Sequence, residues 1–187
     1  MDLDGILAYI REGSNVRNSI DGKKVLEFGI SLSNCFKSGN KFIAMGNGGS
    51  AADAQHIAAE FVGRFEKERR PLPAMALHTN TSSITAIGND YSFDEIYSRQ
   101  ILAFARKGDY VLALSTSGNS PNIVKGVNSA NEIGCNVFGI TGKKGGKLSE
   151  IIDPENLIKI DSDRTSYIQE CTIAIGHMIS KIVEDSL

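Results

Sequence analysis

The chain has 187 residues, 41% apolar and 22% charged, with a net charge of −2. That balance is ordinary for a globular domain, and the length suffices for one domain with a full core. It excludes a basic nucleic-acid binder, because no Lys/Arg block supplies the electrostatic footprint, and no apolar run approaches the roughly 18 residues of a membrane span.

In chain order, residues 2–12 and 15–38 read as helices. In the second, Val16, Ile20, Val25, Phe28, Leu32 and Phe36 recur near a 3.6 period, with Asp21-Gly22 as an irregularity. A short continuous apolar run follows, KFIAMG (41–46), as expected of a strand buried on both faces. Similar runs return at 73–77, 109–115, 136–141 and 156–161, and helical patterns at 50–68, 93–106, 121–133 and 166–185 separate most of them. The run EKERR (66–70) reads as a solvated helix end. Apolar strands alternating with helices predict one α/β domain over residues 1–187, built on five parallel strands. Cys35, Cys135 and Cys171 are odd in number and far apart, which suits neither a disulfide framework nor a metal knuckle. With no signal-peptide pattern at the start, a reducing cytoplasm is the expected compartment.

In an open parallel sheet, ligands bind beyond the carboxyl ends of the strands. Two segments there combine glycine with hydroxyls and lead into helices: GNGGS (46–50) and STSGNS (115–120). The second sets Ser115, Thr116, Ser117 and Ser120 around Gly118, just ahead of Pro121 at a helix start. Free N–H groups and the positive end of the helix dipole make such a loop an anion site, although Ser/Thr-rich loops also serve simply as caps. In the first loop Ser50 is placed to cap the next helix. Gly46-x-Gly48-x-x-Ala51 matches the dinucleotide fingerprint literally, but the next strand ends in Leu77-His78-Thr79-Asn80, without the acid that would hold a ribose. The Walker pattern fails too, since Gly142-Lys143 and Gly146-Lys147 lack the following Ser or Thr.

His56 and Glu60 are spaced i, i+4 and share a helix face about 6 Å apart, as a surface pair or as groups looking into the site behind GNGGS. The last helix carries Gln169 and His177 among more apolar residues than one outer face needs, which suits burial, including burial against a partner subunit. A histidine there reads equally as a core residue. About 12 Å of helix rise separates Gln169 from His177, so serving one small ligand would require converging side chains or different chains of an oligomer.

Taken together and in order, GNGGSAADAQH, AIGND, STSGNS, TGKKGG and IQE…GH resemble the sugar-isomerase (SIS) domain family, and within it the phosphoheptose isomerases, from about residue 10 onward. The resemblance implies a flavodoxin-like three-layer α/β sandwich with N-terminal helices packing in an oligomer. It also implies a homotetramer with active sites between subunits. The implied reaction converts sedoheptulose 7-phosphate to D-glycero-D-manno-heptose 7-phosphate through an enediol, feeding ADP- or GDP-heptose for lipopolysaccharide or another surface glycan. The matching positions assign substrate contacts to Asn47, Gly48, Gly49, Ser50, Glu60, Asn89, Asp90, Ser115, Thr116, Ser117, Ser120 and Gln169, and the acid/base pair to Glu60 and His177. Some members bind zinc through positions matching His56, Glu60, Gln169 and His177; no nucleotide cofactor, nucleic acid or membrane is implied. The chain departs from the family pattern at Tyr167, where Arg is usual and where Arg164 offers a substitute, and at His78 and Asn80, where Thr and Asp are common. A non-catalytic relative that binds the replication initiator protein is the alternative; it lacks the equivalents of Glu60 and His177. A sugar-phosphate sensor is a third reading, though such sensors usually carry an additional domain.

Overall fold

In the computed structural model, which describes residues 1–187, two helices come first. α1 (Leu3–Asn18) is capped by the Asp2 carboxylate on the Gly5 N–H, and α2 (Gly22–Lys37) by Asp21 on the Lys24 N–H. The expected break near residues 12–15 does not occur. Ser14 turns its hydroxyl onto the Ile10 carbonyl within the helix, and the chain turns instead at 19–21.

The remaining elements are β1 (Phe42–Gly46), α3 (Gly49–Val62), β2 (Ala74–Ala76), α4 (Thr81–Asp90), α5 (Ser98–Phe104), β3 (Tyr110–Ser115), α6 (Pro121–Ile133), β4 (Asn136–Gly142), α7 (Leu148–Ile151), β5 (Leu157–Ile160) and α8 (Thr165–Ser186). All five strands fall where the apolar runs predict. α3 ends at Val62 instead of running to 68, because Gly63 caps it and Arg69 takes its final carbonyls. The helix expected over 93–106 is a 3₁₀ turn (Phe93–Glu95) followed by α5. α4 has no counterpart among the expected elements. Its sequence, TSSITAIGND, is rich in hydroxyl and β-branched residues of weak helix propensity, and Asn80 starts it by accepting from the Ser83 N–H.

The strands form one parallel sheet in the order β2-β1-β3-β4-β5, the flavodoxin-like order. Alternation along each strand divides the core. Phe42, Ala44, Tyr110, Leu112 and Leu114 face α2, α3 and α8, while Ile43, Met45, Val111 and Ala113 face α5 and α6. α2 buries Val25, Phe28 and Leu32 in this core, whereas α1 buries nothing and exposes Leu3, Ile6, Leu7 and Ile10. Adjacent strands β1 and β3 thus send their helices, α3 and α6, to opposite faces. The crevice between those two strand ends is the one place on the carboxyl edge where neither helix covers the other's loop.

α3 and α8 run side by side on one face, and Gly176 lets them close: a Cβ there would stand 2.4 Å from Ile57 Cγ1. Gly176→Ala is expected to cost about 1–3 kcal/mol as an overpacked contact. In urea denaturation, the double variant Gly176→Ala/Ile57→Ala should cost less than the sum of the two single changes; strict additivity would show that the two helices do not meet there.

Candidate active site

The loops after β1 and β3 meet at the crevice and line a cavity of about 300 Å³, together with Leu114, Thr165 and Gln169. Gly48, at φ 56°, is the N-cap of α3, and Ser50 lies buried inside the first turn, so the expected Ser50 cap does not form. Across the crevice Ser115 Oγ lies 3.2 Å from Ser120 Oγ, and Ser120 holds the N-cap position of α6 ahead of Pro121, its hydroxyl making no capping bond. Two helix starts and a set of neutral donors therefore converge on one cavity, and no Lys or Arg of this chain lines it. That is the arrangement of an anion cradle. A larger cavity, about 540 Å³, lies at the opposite edge of the sheet beside Asn136 and Ile152 and holds no such loop.

Two contacts beneath the loops hold the cradle in shape. Asn47 and Asn122 exchange amide hydrogen bonds of 2.8 and 2.9 Å, tying the first loop to the first turn of α6. The Tyr97 hydroxyl donates to the Gly46 carbonyl at the end of β1. Sequence reasoning missed Asn122, Tyr97 and Thr165; Asn122 directly follows Pro121 and was legible only as a helix residue.

Further along α3 lies a second group. His56 Nε2 stands 2.9 Å from a Glu60 carboxylate oxygen and 3.4 Å from His177 Nε2 on α8. The donor atoms of all three lie within 4.8 Å of one another. Phe65 stacks against His177 with ring centroids 5.7 Å apart. Gln169 is not at this end of α8: it packs against Gly49, where a Cβ would meet its Nε2 at 2.4 Å, and it belongs to the cradle.

Of the expected substrate residues, Asn47, Gly48, Gly49, Ser50, Ser115, Thr116, Ser120 and Gln169 line the cavity. Ser117 borders an adjoining cavity instead, with its hydroxyl accepting from the Asn119 N–H. Asn89 and Asp90, at the end of α4, bond each other and none of the lining residues. Arg164 does not replace the usual Arg at the cradle, because its guanidinium is held by Glu12 (3.0 Å) and the Tyr167 hydroxyl (2.8 Å). Asn80 keeps the capping role that an Asp would fill. His78 is half-buried with Nδ1 unpartnered, and burial lowers its pKa.

An anion cradle without cations at the ligand-binding edge of a flavodoxin-like sheet, with a carboxylate and two imidazoles further along the helix that starts there, suits proton transfer on a phosphorylated sugar. A SIS domain model matches residues 9–142, and the chain belongs to the SIS domain family. Its relatives narrow the placement. It is 52% identical over 176 residues to a probable phosphoheptose isomerase of Thermoplasma volcanium, covering 94% of this chain and 89% of the relative. It is 54% identical over 151 residues to the phosphoheptose isomerase of Rhodospirillum rubrum, covering 81% and 79%. Among solved structures, the phosphoheptose isomerase of Neisseria gonorrhoeae superposes with a TM-score of 0.91 at 36% identity, over 97% of this chain and 98% of that one. Within the family, this chain belongs with the phosphoheptose isomerases.

One acid on α3 keeps a buried oxygen without a partner. Asp53, one turn before His56, keeps Oδ2 buried and unbonded. Burial raises its pKa from 3.8 to about 6, against a smaller opposing effect from His56. The folded chain then holds more protons than the unfolded one between those values, so this group's contribution to stability falls as pH rises through the interval. Asp53→Asn should raise the denaturation midpoint above pH 6, measured with a chelator present, and the gain should vanish as pH falls toward 4. An equal gain at every pH would refute the linkage.

Proposed function

We propose that this chain is a cytoplasmic, single-domain aldose–ketose isomerase converting sedoheptulose 7-phosphate to D-glycero-D-manno-heptose 7-phosphate, with Glu60 and His177 as its proton-transfer pair. The observation that carries the reading is that α3 bears both halves of a site: Gly49 at the anion cradle in its first turn, and His56 and Glu60 two to three turns on. The phosphate, held by the cradle and by Gln169, fixes the sugar so that its carbonyl end reaches the acid and imidazole. Isomerisation removes a proton from C1 of the ketose to give an enediol and returns one to C2, while the hydroxyl proton passes from O1 to O2. Glu60 is the base in the ketose-to-aldose direction, and His177 serves the oxygens. Asn89, Asp90 and Ser117 are substrate contacts that require the ligand, or a neighbouring subunit, to bring them to the cavity.

His56, Glu60 and His177 suit zinc in donor type. Bonds of about 2.05 Å place tetrahedral ligand atoms about 3.3 Å apart, close to the observed spacing between the two imidazole nitrogens. When bound, the metal would polarise the sugar's carbonyl or hold the shape of the site. With Gln169 about 12 Å along α8 from His177, a fourth donor of that type would come from another copy of the chain. This favours a homotetramer with sites between subunits, as does the apolar surface of Leu3, Ile6, Leu7 and Ile10 on α1. The product would enter heptose precursors of a surface glycan. The presence and clustering of Glu60 and His177 weigh against the non-catalytic scaffold.

Incubation with sedoheptulose 7-phosphate, followed by NMR, should show aldoheptose phosphate. Glu60→Gln and His177→Ala should each lower turnover by about 10²–10⁴-fold. A folded protein inactive with every divalent metal offered would sink the reading and leave the scaffold. Light scattering should report a tetramer, and a monomer would overturn the shared site. Metal analysis should find about one zinc per chain, lost in His56→Ala.

A further inference from the structure

We infer that Glu184 is a positioning residue for the isomerisation, setting the geometry of both Glu60 and His177 through Arg69 and the segment 65–67. The inference rests on the assignment of proton transfer to that pair.

Glu184 lies on α8 seven residues beyond His177, two turns along the same helix face. Its side chain is 1% exposed. One oxygen accepts from the Phe65 N–H (3.3 Å) and the other from the N–H groups of Glu66 (3.0 Å) and Lys67 (2.9 Å). Burial alone would raise the pKa of this carboxyl, but the three amides and Arg69 outweigh it and keep it charged.

Two paths lead from this carboxylate to the reacting groups. In the first, the Glu184 oxygen lies 3.6 Å from Arg69 Nε. Arg69 in turn donates to the carbonyl of Glu60 (2.6 Å) and to that of Phe61 (2.9 Å), which also accepts from the Leu72 N–H, at the end of α3. A planar guanidinium that meets two successive carbonyls fixes the last turn of the helix and with it the carboxylate of Glu60. In the second path, the bond to the Phe65 amide holds that residue where its ring stacks on the His177 imidazole at 28°. A carboxylate needed only to order a surface loop would satisfy amides; this one also faces, at ion-pair distance, the Arg69 that holds the Glu60 carbonyl, and it accepts from the amide of the residue whose ring stacks on the imidazole.

The cradle at the far end of α3 makes no contact with the clamp, so its loss should separate turnover from binding. Glu184→Gln and Phe65→Leu are expected to lower kcat by up to about 10²-fold, the effect of an ångström-scale displacement, with KM for sedoheptulose 7-phosphate near that of the wild type. Phe65→Tyr, which keeps the ring, should restore kcat. In NMR spectra of the full-length protein, the His177 imidazole protons, assigned by their loss in His177→Ala, should move in both Glu184→Gln and Phe65→Leu. If Glu184→Gln does not fold, Glu184→Asp, which keeps the charge but shortens the reach to Arg69 and the Phe65 amide, is read by the same kcat and His177 resonances. Wild-type kcat and unmoved His177 resonances in folded variants would overturn the positioning role while Glu60→Gln and His177→Ala remain inactive. Activity retained in those last two variants would instead remove the proton-transfer assignment, and this inference with it.

Discussion

The reciprocal amide pair between Asn47 and Asn122 is the contact on which the ligand edge of this molecule depends. The ladder pairs β1 with β3 as far as Gly46 and Leu114 and so sets the roots of their loops, but their helices leave toward opposite faces and the sheet does not hold the loops beyond those residues. The half-buried amide of Asn47 and the buried one of Asn122, each donating to and accepting from the other, tie the two loops together. A buried amide left without its partner costs more than the pair gains by forming, which makes the arrangement close to all-or-none. A cradle tied in this way is partly pre-organised, which lowers the ordering entropy that binding an anion has to overcome.

Helix α3 carries that rigidity to the chemistry. Gly49 stands in its first turn and His56 seven residues later, about 10 Å along the axis. That span matches a sugar phosphate of several carbons better than a triose phosphate, whose carbonyl would lie much nearer its own phosphate. α8 runs alongside, touching the start of α3 through Gln169 and its later turns through His177, with Gly176 letting the two helices approach. A site assembled on two parallel, closely packed helices holds its acid and imidazole to tighter tolerances than one assembled on loops.

Much of this was legible in the sequence, for identifiable reasons. Parallel strands buried on both faces read as continuous apolar runs, and all five were placed. Glycine and hydroxyl clusters after two of them marked the cradle, because the chemistry of an anion site is written in local composition. What escaped was either locally ambiguous or wholly tertiary. α4 is built from residues that favour caps and strands, and it is helical because Asn80 starts it. Ser50 looked like a cap, but Gly48 turns the chain first. Asn122 meets Asn47 across 75 positions, and Glu184 reaches the amide of Lys67 across 117, so no spacing rule could join them.

The departure at Tyr167 shows how the same fold redistributes charge. The Tyr167 hydroxyl donates to Glu12 of α1 and accepts from Arg164, and its ring lies 4.7 Å from that of Tyr9. The one cation close in sequence to Gln169 is thus used to dock α1 onto α8, outside the cradle. Within this chain, what the cradle offers an anion is oriented N–H groups, helix dipoles and hydroxyls. Such donors act over short range and in fixed directions, so they recognise a phosphate by its shape more than by its charge. A cradle of this kind depends on its backbone staying in place, which returns the burden to the asparagine pair beneath it.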